Sequence, residues 1–108
     1  MVEQIEQLLT APASGADAPT LARMEETLTD GYAQVLALEA ERWRLERRLG
    51  EIALKVEDHD VSAVAGELST LAKGITTADG RATELRTLLG TLHERTRSLR
   101  VAERAESL

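Results

Sequence analysis

The chain has no cysteine and no phenylalanine, one tryptophan (Trp43) and one tyrosine (Tyr32). The missing cysteine excludes disulfide frameworks, thiolate zinc sites and cysteine nucleophiles. The scarcity of rings argues against a compact globular core, where aromatic side chains supply much of the buried area. Proline occurs only at positions 12 and 19, so nothing of that kind interrupts the rest of the chain. No apolar run approaches the ~18 residues of a membrane span. The opening Met-Val-Glu-Gln-Ile-Glu is acidic where a secretory leader is basic. These two absences make a cytoplasmic protein the expectation. Positive charge is also short: 13 Lys and Arg against 19 Asp and Glu give a net charge of −6. That balance weighs against a dedicated nucleic-acid binder, because duplex binding rests on neutralising phosphates.

What remains is rich in Leu, Ala, Glu and Arg, the composition of long helices and coiled coils. Residues 1–10 carry Val2, Ile5, Leu8 and Leu9 at helical spacing and predict a short amphipathic helix. Alone it is marginal in water, so it needs a surface to dock on. Residues 11–19, Ala-Pro-Ala-Ser-Gly-Ala-Asp-Ala-Pro, form a loop by every local rule. Asp17 and Pro19 predict the next helix start, with Asp near the N-cap and Pro in the first turn.

From Leu21 a heptad runs without interruption. Position a holds Leu21, Leu28, Val35, Arg42, Leu49 and Val56, and position d holds Met24, Gly31, Leu38, Leu45, Ile52 and His59. Nine of these twelve are large apolar residues, which is coiled-coil evidence rather than evidence of a surface helix alone. A second run starts at Val61, with a at Val61, Leu68, Ile75, Ala82, Leu89 and Thr96, and d at Val64, Leu71, Ala78, Leu85, Leu92 and Leu99. The registers differ by two residues, whereas stutters and stammers insert four or three. The slip therefore reads as a chain reversal, with Asp58 or Asp60 capping the second helix.

Folding the chain there sets a layers against d layers. Leu21 then faces Leu99, Leu28 faces Leu92, Gly31 faces Leu89, Val35 faces Leu85, Arg42 faces Ala78 and Val56 faces Val64. Ala78 leaves room for the Arg42 stem along the seam. Across the edges the register brings Glu41 near Arg81, Lys55 near Glu67 and Glu39 near Arg86. The second arm contains Asp79-Gly80, ordinarily a turn signal, but the heptad stays in phase through it and predicts a continuous helix. The expected fold is all-α: a long antiparallel two-helix coiled-coil hairpin with a short N-terminal helix. Its arms span about 20–57 and 61–105, its turn falls at about 58–60, and each arm is roughly 60 Å long.

Chemistry-bearing residues are sparse. A two-helix hairpin encloses no cavity in which to desolvate a carboxylate, so Glu25-Glu26 and the Glu39/Glu41 pair read as solvated faces. Asp58-His59-Asp60 has ligand-type atoms, yet three adjacent side chains in a turn do not converge on one ion. His93 is a helix-face histidine. No phosphate loop, nucleophile elbow or His-Glu-x-x-His is present. The chain reads as non-enzymatic, with no catalytic residue, metal or cofactor.

Two basic patches remain, Glu41 to Arg48 and the tail bearing Arg95, Arg97, Arg100 and Arg104. In the first, Trp43 lies outside the seam beside Arg44 and Arg47. Aromatic rings among arginines are the composition of a protein-interface hot spot, and also of a single-stranded nucleic-acid platform. The interleaved Glu41 and Glu46 favour the protein interface. Tyr32, Leu36, Trp43, Leu54 and Leu88 all fall outside the seam and predict self-association, two hairpins closing into a four-helix bundle. In an alternative, the N-terminal helix folds back onto the rings. The functional expectation is an adaptor, scaffold or chaperone-like module that binds itself and another protein. A nucleic-acid-associated hairpin using the arginine patches is the second reading.

Overall fold

The computed structural model describes residues 1–55 and 61–107. Among them the chain forms three helices and no strand: α1, Val2–Thr10; α2, Leu21–Ala53; and α3, Val61–Ser107. Helices α2 and α3 pack antiparallel against each other, the hairpin that the two heptads specify. Val56, the turn at 58–60 and the capping roles of Asp58 and Asp60 lie outside the described residues.

Helix α2 starts later than Asp17 and Pro19 suggest. Thr20 is its cap: the Arg23 N–H donates to the Thr20 hydroxyl at 3.1 Å, and the Met24 N–H donates to the Thr20 carbonyl at 3.1 Å. Pro19 disfavours helical geometry in the residue before it, so helix formation waits for the threonine, whose oxygen accepts from the N–H of the third helical residue. Helix α3 runs through Asp79-Gly80 without a break. Ala78 and Ala82 on either side are buried, and the packing they make outweighs the ~1 kcal/mol helix penalty of a glycine.

The helices contribute to two compact units, one comprising residues up to Val35 with those from Glu84 on, the other residues 36–83. In the first unit the register is fixed by Gly31, where an added Cβ would collide with the Leu89 side chain, and by an ion pair between Arg100 and Glu25. Met24, Leu28, Val35, Leu85, Leu89 and Leu92 are buried along the seam, together with Thr96. The Thr96 hydroxyl is satisfied by donating to the Leu92 carbonyl at 2.8 Å. Helix α1 belongs to this unit, with Ile5 and Leu8 buried.

Among the described residues the second unit consists of stretches of α2 and α3, with Leu54 and Lys55 after α2. Arg42 reaches Asp79 at 2.7 Å, Arg48 reaches Glu67 at 3.5 Å, and a Cβ on Gly74 would lie 3.2 Å from Leu45 Cδ1. Leu38, Ile52, Val64, Ala78 and Ala82 are buried, whereas Leu45, Leu49, Leu68, Leu71 and Ile75 are only half-buried. Two helices cover one seam between them but leave its flanks open to water. Val61, the first seam position of the second run, is exposed.

Candidate functional site

Most of the large exposed apolar residues described in the second unit lie on or just after α2, with Val61 on α3. Leu36 is 66% exposed, Trp43 59% and Leu54 87%. Leu36 and Trp43 are two turns apart and so share a helix face, and Arg47 sits one turn beyond. Its guanidinium carbon lies 5.5 Å from the Trp43 ring centroid, within cation–π range. Arg44 is exposed beside them. The Leu54 N–H still donates to the Gly50 carbonyl at 3.2 Å, which prolongs the helical path past Ala53.

Seen on the helix, these residues form a line with its own rhythm. Leu36, Ala40, Trp43, Arg47, Gly50 and Leu54 follow one another at alternating steps of four and three, and all are exposed. This is the spacing of a second seam on the side of α2 away from the first. Sequence reasoning singled out the bulky members and missed Ala40 and Gly50, the small residues that complete the pattern.

Charge on this surface is largely internally balanced. Besides its pair with Asp79, Arg42 lies 3.7 Å from Glu46. Arg47 lies 3.8 Å from Glu51, and Arg48 lies 3.9 Å from Glu51. Glu41 and Arg81, which the register brings near each other, form no ion pair among the described residues. The flexible Arg42 side chain instead reaches Asp79. Its Nε is buried without a hydrogen-bond partner among the described residues.

The remaining candidates belong to the first unit. Tyr32 is 46% exposed. Leu88 is half-buried rather than outward. Helix α1 docks in this unit, held by the Arg95 guanidinium, which donates to the Leu9 carbonyl and, at 2.7 Å, to the Ala11 carbonyl. An apolar groove of about 260 Å³ lies in the same unit, lined by Pro12, Pro19, Met24, Leu99 and Ala102 with Arg95 at its wall. No local pattern announces it, because it depends on where the proline loop comes to rest.

Among the described residues no three His, Asp or Glu side chains converge as a metal would need. His93 is exposed. Asp58-His59-Asp60 lies outside the described residues. Among the described residues no helix is long and apolar enough to cross a membrane.

The fold and its surface define an all-α helical hairpin with an exposed aromatic face. No protein-family model, curated protein or solved structure matches the chain.

Proposed function

We propose that this chain is a cytoplasmic, non-catalytic protein–protein interaction module. It associates with itself through the α2 face centred on Trp43, and a second hairpin completes a four-helix bundle. The assembled form acts as an adaptor, scaffold or chaperone-like partner of another protein. The observation that carries this reading is the exposed line Leu36–Trp43–Leu54 above a seam that is itself half-open. Fully burying one such side chain contributes roughly 1.5–3 kcal/mol. Trp and Arg are also among the residue types enriched at the energetic centre of interfaces.

The arginines support the same reading over a nucleic-acid platform. Arg42, Arg47, Arg48 and Arg100 face carboxylates, which lowers the positive potential that a phosphate backbone would meet.

Sedimentation of the full chain across the micromolar range tests the proposal. Wild type is expected to associate with concentration, its Trp43 emission shifting to the blue. Trp43→Ala is expected to weaken association by at least about tenfold, the effect of losing a central anchor. A chain that stays monomeric at every concentration, with the emission of a fully hydrated indole, would overturn it.

A further inference from the structure

Helix α1 has nine residues, fewer than the ~12–15 that an isolated helix needs to persist in water. Its last turn contains no cation to meet its free carbonyls. The missing charge comes from α3, through the two bonds that Arg95 donates to Leu9 and Ala11. The other anchors are the buried side chains of Ile5 and Leu8.

The surface under α1 can be located from burial. Thr27, Leu88 and Arg95 lie outside the a and d lines, yet Thr27 is buried and the other two are half-buried. All three fall at the heptad position g, and the g edges of two antiparallel helices lie on one side of the pair. Arg95 touches α1, which identifies what covers that edge. Pro12 and Ala13, which follow α1, line one groove with Ser98, Leu99 and Ala102, which puts the C-terminal end of α1 at Arg95 and its body towards Leu88. The connecting loop turns at Gly15, whose φ is +99°, a conformation that side chains other than glycine rarely adopt.

We propose that α1 is a detachable strap, and that the groove beneath it is a receptor for an amphipathic helix of a partner protein. The chemistry of that helix is defined by the present occupant: apolar residues spaced as Ile5 and Leu8, and a C-terminal end whose carbonyls accept from Arg95. A longer partner helix competes well, because it is more stable than nine residues can be. The tether holds α1 at a high effective concentration over the groove and so keeps weak binders out. This device lies in the first unit and does not depend on the Trp43 face.

Two measurements test it. In amide hydrogen exchange on the full chain, residues 2–10 are expected to exchange roughly 100-fold faster than Leu85–Thr96, because the strap opens locally without global unfolding. Protection of α1 equal to that of the seam would make it a fixed third helix and overturn the proposal. In the second measurement, a synthetic peptide of residues 1–11 is titrated into the full-length Ile5→Asp/Leu8→Asp variant, which frees the groove. It is expected to bind there at least about tenfold more tightly than to wild type. Adding Arg95→Ala should cost about tenfold or more, as for hydrogen bonds from a charged donor. Failure of the peptide to bind a variant whose circular dichroism shows α2 and α3 intact would also overturn it. If that variant does not fold, hydrogen exchange on the native chain decides. Trp43→Ala is expected to leave both readouts unchanged, which separates this device from self-association.

Discussion

Gly31 and Gly90 are the same residue in opposite situations. A methyl group at Gly31 would strike Leu89, whereas at Gly90 it would meet nothing within 4 Å. Overpacking a core costs about 1–3 kcal/mol, and replacing a helical glycine by alanine gains up to ~1 kcal/mol. Gly31→Ala is therefore expected to destabilise the chain by ~1–2 kcal/mol, and Gly90→Ala to stabilise it by ~0.5–1 kcal/mol, both read from urea unfolding. The opposition of Gly31 to a leucine was legible in the heptad. The closeness of the approach was not, since it depends on how far the two backbones move together once the glycine is there. Ion pairs were less legible still. Arg42 is a long, flexible side chain at a seam position, and its guanidinium reached Asp79 while the expected Glu41–Arg81 pair did not form.

The helices are where local chemistry and long-range pattern compete. At Asp79-Gly80 the pattern prevailed, because a break would uncover Ala78 and Ala82. At the start of α2 the sequence pointed to Asp17 and Pro19 as the entrance. It passed over Thr20, a residue type that also caps well. The hydrogen bond from Arg23 gives the role to Thr20. Thr20→Ala is thus expected to cost ~1 kcal/mol, while Asp17→Ala should change stability by no more than ~0.5 kcal/mol. Thermal unfolding of the two variants side by side checks this. The edge bearing Leu88 was the least legible feature. A segment that docks from elsewhere in the sequence leaves no periodicity, and Leu88 read as outward although it is half-buried.

For the molecule as a whole, the proposed association draws on apolar area more than on charge. The exposed ion pairs, such as Arg42 with Asp79 at side-chain exposures of 38% and 52%, are each worth about 0–1 kcal/mol. Raising salt from roughly 0.05 to 0.5 M shortens the screening length severalfold, yet the self-association constant is expected to change by less than about threefold. Sedimentation at the two ionic strengths measures this, and a loss of one or two orders of magnitude would point to a charge-driven contact. The fold was readable from the chain because two strict heptads carry the same message many times over. The Trp43 face was readable only in its large residues, since alanine and glycine at the surface attract no notice until their spacing is seen on the helix. Finally, the bond from Arg95 to Ala11 joins residues 84 positions apart, and it bears on the order in which the protein is made. Helix α1 leaves the ribosome ahead of α2 and α3, too short to hold its shape alone, and its closing contact waits until Arg95 has been synthesised. Of the three helices, the one translated earliest is then the last to dock.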